Sequence, residues 1–219
     1  MLCVAVETST RSPSVAARDA DRVVSETLAG DRPHASDLLP ALDRLLRQLA
    51  RRPDAIEVVI VGTGPGSYTG LRVGIASALG LARGSSARLV AVPSGEALAW
   101  AELEVGRRAT MLLDARAGEL YLARYERTQD DVRVLTAPCI VRPEELVLAE
   151  GDAIFGEVGI ERAARLDAAT ARRVRTDVQP RATATLELGL LRLQRRGESP
   201  AHELEPLYLR AFAAKARKR

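Results

Sequence analysis

Val58-Val59-Ile60-Val61-Gly62-Thr63-Gly64-Pro65-Gly66-Ser67-Tyr68-Thr69-Gly70 runs from an unbroken apolar stretch into a block with four glycines in nine residues. Positions 58–61 do not alternate, so the strand read over Ile56 to Val61 is buried on both faces. Gly62 to Gly70 reads as a loop, and Leu71 to Ala82 as the helix that follows. Glycines let backbones approach closely, and amides at a helix N-terminus suit an anion. The competing reading is a tight strand-to-helix turn. The block is no Walker motif, because no Gly-Lys-Ser/Thr closes it. It is not GxGxxG either, because Ser67 and Thr69 stand three residues after Gly64 and Gly66. Pro65 and Thr69 take the outer places of a nucleophile elbow, so Ser67 reads as a helix N-cap. Gly70, Gly74 and Ala78 form a flat ridge at four-residue spacing, suited to close helix approach.

Upstream, Leu2 to Val6 is an apolar strand run. Ser14 to Arg18 and Arg22 to Glu26 are two more strands, turning at Asp19 to Asp21, which makes a three-strand meander. Leu38, Leu39, Leu42, Leu45, Leu46 and Leu49 draw one apolar stripe along a helix, with Pro40 near its start. Glu7, Thr8, Ser9 and Thr10 put a carboxylate and three hydroxyls on the turn after the first strand. Such a turn can hold a phosphate or Mg²⁺, the metal through the carboxylate, or it is a polar hairpin turn bonded to itself. Downstream, Arg88 to Val92 is a strand, and Ser94 caps a helix to about Val105.

The second half repeats the order. Thr110 to Leu113, Glu119 to Tyr125 and Val132 to Leu135 are strands, and a short helix starts at Pro143. Ala153 to Phe155 is a strand, a helix starts at Ile160, Arg173 to Val178 is a strand, and Ala182 to Arg196 is a helix. Glu7 and Asp114 leave the first strand of each half, and Gly62 and Gly156 leave the fourth. Residue identity between the halves is low, so the duplication rests on element order and punctuation. The implied architecture is α/β: two lobes, each a mixed sheet flanked by helices, with a cleft between them. The boundaries read as 1–104 and 105–198, with a C-terminal segment at 199–219.

Composition narrows the function. The net charge is +3, but the last nine residues carry Lys215, Arg217, Lys218 and Arg219 and no acid, so the body is slightly acidic. It is not a basic surface built to wrap nucleic acid. His34 and His202 are far apart, no HExxH or CxxC exists, and no metal site is read. Cys3 and Cys139 read as small buried hydrophobes rather than a disulfide framework. His34, with Asp37 three residues on, reads as a capping or interface residue. Glu7 interrupts any N-terminal signal pattern, and Val58 to Leu71, the longest uncharged stretch, is too short to span a bilayer. A cytoplasmic protein without a membrane partner is expected.

Val6-Glu7-Thr8-Ser9-Thr10, Arg32-Pro33-His34-Ala35-Ser36 with Leu38-Leu39-Pro40, the run from Gly64 to Ile75, the run from Leu113 to Tyr121, and Pro206-Leu207-Tyr208-Leu209-Arg210 fall in one order along the chain. Together they resemble the TsaB (YeaZ) family, non-catalytic subunits of the bacterial machinery that makes N6-threonylcarbamoyladenosine in tRNA. The resemblance implies the duplicated RNase H-like fold of the actin, Hsp70 and acetate kinase superfamily. It also implies no catalytic residue of its own, a homodimer in isolation, and binding to a TsaD-type catalytic subunit through an equivalent helical surface. A TsaE-type ATPase would join them, and the complex would modify adenosine 37 of tRNAs reading codons that begin with A. Where the family's catalytic paralogue has a metal-binding histidine pair, this chain has His34 followed four residues later by Leu38. Glu7 stands where many relatives carry Asp, which moves the carboxylate by a methylene. Leu38, Leu39, Leu42, Leu45, Leu46, Leu49, Leu71, Ile75 and Leu79 are the expected partner interface. Glu7, Thr8, Ser9, Thr10, Gly64, Gly66 and Ser67 would be vestigial phosphate loops, with ATP confined to a subunit junction. The alternative is a small kinase or ATPase of the same superfamily.

Overall fold

The computed structural model describes residues 1–28, 34–200 and 204–207. The first half builds β1 (Leu2–Glu7), β2 (Ser14–Asp19), β3 (Arg22–Thr27), α1 (His34–Gln48), β4 (Val58–Gly62), α2 (Tyr68–Ser85), β5 (Arg88–Val92) and α3 (Ser94–Glu102). The second half builds β6 (Arg108–Arg116), β7 (Glu119–Arg127), β8 (Val132–Val141), β9 (Ala153–Gly156), α4 (Ile160–Ala163), α5 (Ala168–Ala171), β10 (Val174–Arg175) and α6 (Ala182–Arg196). The sheets run β3-β2-β1-β4-β5 and, in the same sense, β8-β7-β6-β9-β10. In each, the first strand pairs antiparallel with the second and parallel with the fourth. The duplication read from element order is therefore a repeat of topology: a duplicated RNase H-like fold.

The helices depart from simple repetition. α1 and α2 cover the outer face of the first sheet, where Leu38, Leu42, Leu45 and Leu46 pack with Val4, Val6, Val59 and Val61. α6, from the second half, packs on β1, β2, β4 and β5 of the first sheet. α3, from the first half, packs on β7 and β8 of the second. The boundary expected at 104 lies in the turn between α3 and β6, but the helices on either side belong to one continuous core. That core holds Ile60, Val90, Leu98, Met111, Tyr125, Phe155, Leu186 and Leu190.

Two glycines set how deep these central helices lie. A Cβ on Gly189 of α6 would stand 2.5 Å from Ile60 Cγ2, and one on Gly95 of α3 would stand 2.5 Å from the Tyr125 hydroxyl oxygen. Charge then fixes the far end of α6. Arg192 is buried and binds Asp131, at the β7–β8 turn, at 2.7 Å, and also reaches Glu96 of α3. Arg196 binds Asp131 at 2.6 Å, and Arg195 binds Asp130 at 2.9 Å. Arg127 stacks on Trp100, whose indole N–H donates to Glu187 of α6.

Several boundaries differ from the sequence reading. α2 starts at Tyr68 because Ser67 caps it. Pro93, not Ser94, is the N-cap of α3, and the Ser94 hydroxyl accepts from the Gly64 amide instead. The helix at Ile160 is a single turn, an unforeseen second turn follows at Ala168, and the last strand shrinks to Val174–Arg175. β8 runs on to Val141 through Pro138, which an edge strand tolerates.

Two stability outcomes follow from the central helices. Gly189→Val forces a branched side chain onto Ile60 and should lower unfolding free energy in urea titration by about 2 kcal/mol, in the range for overpacked cores. Arg192→Leu leaves the buried Glu96 carboxylate without its cation and should cost about 3 kcal/mol in the same titration. A loss below about 0.5 kcal/mol would show that the Glu96 site is solvated.

Candidate functional site

The turn after β1 is the most tightly built part of the molecule. Glu7 and Thr8 are fully buried and Ser9 nearly so. The glycine block lies against this turn with no space between. A Cβ on Gly66 would overlap the Ser9 carbonyl oxygen, one on Gly70 the Thr8 carbonyl oxygen, and one on Gly74 the Thr8 hydroxyl. Thr8 Oγ1 donates to the Gly70 carbonyl at 2.8 Å, and the Ser67 amide donates to the Ser9 carbonyl at 2.7 Å. The Gly70 amide donates to Ser67 Oγ at 3.2 Å, and the Leu71 amide to the Ser67 carbonyl.

The structure thus brings Glu7, Thr8, Ser9, Gly64, Gly66 and Ser67 together, as a clasp between two chain segments. The amides of Gly64, Ser67, Gly70 and Leu71 are all spent inside the protein. Glu7 faces inward, where its Oε1 accepts from the Ser9 amide at 2.8 Å. Burial pushes its carboxyl above the usual range, against the Ser9, Ser94 and Thr185 hydrogen bonds that pull it down. Thr10 stays near the surface and accepts from the Ser12 amide.

The leucine stripe is placed differently from the sequence expectation. Leu38, Leu42, Leu45, Leu46, Leu49, Leu71 and Ile75 are buried in the chain's own core, between 0% and 7% exposed. The sheet and α2 together cover the stripe, so these seven cannot meet a partner without unfolding. Leu39 and Leu79 stand out at 47% and 46% exposed. The small-residue ridge is corrected too: Gly70 and Gly74 face Thr8, and Ala78 is in the core. Another row on α2 takes the outward place. Ser77, Gly80 and Gly84, with Leu39, Pro53 and Leu81, line a groove of about 660 Å³. A Cβ on Gly80 or Gly84 would meet nothing within 4 Å. The sequence signal for this row was present, since Gly80 and Gly84 have the same spacing as Gly70 and Gly74. Periodicity alone could not say which row faces out.

A second concavity of about 680 Å³ lies at the end of α6, lined by Thr63, Pro93, Glu96, Val132, Arg192 and Leu207 among others. Its buried charges neutralise one another through the Arg192 network. Among the described residues no cluster of His, Cys, Asp or Glu could hold a metal, and no helix is long and apolar enough to cross a membrane. The His34 side chain, His202 and the basic tail lie outside what the structure describes.

Gly70→Ala tests the clasp. The added methyl would overlap the Thr8 carbonyl, which is backbone and cannot swing aside, and crowd Ser67, so unfolding free energy should fall by about 2 kcal/mol. Gly80→Ala, in open space on the same helix, should be neutral or slightly stabilising. Equal effects at the two sites would show that the clasp is looser than the packing indicates.

A model of the family "TsaD: tRNA N6-adenosine threonylcarbamoyltransferase" matches residues 25–190. The chain is 28% identical to the tRNA threonylcarbamoyladenosine biosynthesis protein TsaB of Haemophilus influenzae, over 94% of this chain and 92% of that protein. It is 31% identical to the protein of the same name from Escherichia coli, over 60% of this chain and 58% of that one. Among solved structures, YeaZ from Pseudomonas aeruginosa superposes with a TM-score of 0.81 at 27% identity, covering 95% of this chain and 99% of that one. With the duplicated topology and the match of fold over nearly its whole length, the chain belongs to the TsaB (YeaZ) family.

Proposed function

We propose that the chain is a supporting, non-catalytic subunit in the formation of N6-threonylcarbamoyladenosine in tRNA, and that a TsaD-type catalytic chain docks on its α1–α2 face. The observation that carries this reading is the outward groove between these helices. Its glycine and serine floor lets a partner helix approach closely, Leu39 in its lining offers an exposed apolar anchor, and Leu79 is a second exposed leucine on α2. The clasp supports the non-catalytic half of the reading, because the Gly64, Ser67, Gly70 and Leu71 amides and the Glu7 carboxyl are committed to holding the fold. In isolation a second copy of the chain takes the same face, so homodimer and complex compete for one surface. A TsaE-type ATPase and tRNA join through the assembled complex, with the basic residues Lys215, Arg217, Lys218 and Arg219 adding phosphate contacts.

The test is Leu39→Glu with Leu79→Glu, both at exposed positions, with folding checked by circular dichroism. Sizing after co-expression with the same organism's TsaD-type chain should show the complex and the homodimer both lost, with affinity at least tenfold weaker. Folded variants that still co-elute at wild-type affinity place the interface elsewhere. Robust ATP turnover by the pure wild-type chain would replace the scaffold reading with the ATPase one.

A further inference from the structure

Glu7 is a fully buried carboxyl, and none of the roles above requires its charge. It sits where three elements meet. Its Oε1 accepts from the Ser9 amide, its Oε2 lies 3.4 Å from Thr185 Oγ1 of α6, and the Ser94 hydroxyl of α3 lies beside it. Gly62 of β4 packs directly against the carboxyl, where any side chain would collide with it. Among the described residues no ion pair reaches it. On β2 it faces Ser14, while Arg18 and Asp19 lie at the opposite end of that strand. On α3, Glu96 is tied to Arg192. At the start of α6, Arg181 and Glu187 are exposed. Across α3, burial holds the Tyr125 phenol neutral.

A proton count at Thr185 bears on the state of this carboxyl. The Thr185 hydroxyl has one proton and two acceptors in reach, the Arg181 carbonyl at 3.1 Å and Glu7 Oε2 at 3.4 Å. The carbonyl can only accept, so the nearer bond takes the hydroxyl proton. The contact with Glu7 is then completed only if the carboxyl brings a proton of its own. A lone charge without a cation would also be costly at such depth.

We propose that Glu7 is held as a neutral carboxylic acid that donates to Thr185 Oγ1, forming a proton-loaded latch that fastens α6 and the second lobe to β1. Ionisation removes the donated proton, leaves a charge at full depth without a cation, and draws the Thr185 hydroxyl proton off the Arg181 carbonyl, which loosens the start of α6. The direction with pH follows from linkage. The native state keeps a proton that the unfolded chain releases at the ordinary glutamate value. The latch's contribution is therefore complete below that value and is lost as pH rises through the raised native one.

The experiment compares the wild-type chain with Glu7→Gln, which has the same shape and no titration. Infrared difference spectra at neutral pH should show a protonated-carboxyl C=O band that Glu7→Gln removes. Amide exchange in residues 185–188, corrected for intrinsic rate, should lose protection in the wild type by up to tenfold per pH unit relative to Glu7→Gln, whose protection stays level. An infrared band unchanged by the substitution, or exchange profiles that run parallel, overturns the proposal. So does a Glu7→Gln chain that fails to fold, because the charge would then have been needed. Neither readout involves a partner chain, so the outcome is independent of the docking face.

Discussion

The contact on which the molecule depends is the approach of two backbones, the turn after β1 and the glycine block before and within α2. No side chain separates them: Gly66, Gly70 and Gly74 present bare Cα atoms to the Ser9 carbonyl, the Thr8 carbonyl and the Thr8 hydroxyl. This approach sets the depth of α2 against the first sheet. With α2 placed, α1 can lay its leucines over β2 and β3 while Leu39 is left outside. Packing at the clasp therefore decides what the surface offers a partner. One helix uses a glycine row inward, to hold the fold, and a second small-residue row outward, where none of the described residues covers Gly80 or Gly84.

The second constraint is the exchange of helices between the lobes. Each half keeps an outer core of its own, but because α6 lies on the first sheet and α3 on the second, the central core is shared, and the lobes cannot separate without exposing Leu186, Leu190 and Tyr125. The polar groups buried along this junction, Glu7 at one end and Arg192 with Glu96 at the other, are confined there for the same reason. A buried polar group satisfied by partners from several elements penalises every arrangement that breaks the set. Such groups oppose relative motion of the lobes.

Much of the architecture was legible in the residues. The unbroken apolar runs of β1 and β4, the glycine after the fourth strand of each half, and the acid leaving the first strand gave the duplicated topology, because strand period, turn chemistry and close approach are local properties. The capping role of Ser67 was legible for the same reason. Short elements were not: α4, α5 and β10 are single turns or a single pair, held by neighbours rather than by their own periodicity.

The sequence by itself determined that a leucine stripe and a glycine-spaced helix lie side by side. Only the tertiary structure decided which faces are spent inside. A helical stripe records that one side is apolar, not what covers it, and the sheet and α2 between them bury seven of the nine residues expected at the partner interface. The same holds for Glu7. Its carboxyl was visible on a polar turn, but Thr185, distant in sequence, is brought to it by a helix crossing from the other half. Burial, and with it the choice between a charged loop and a neutral latch, depends on contacts between residues far apart in the chain, which local periodicity does not encode.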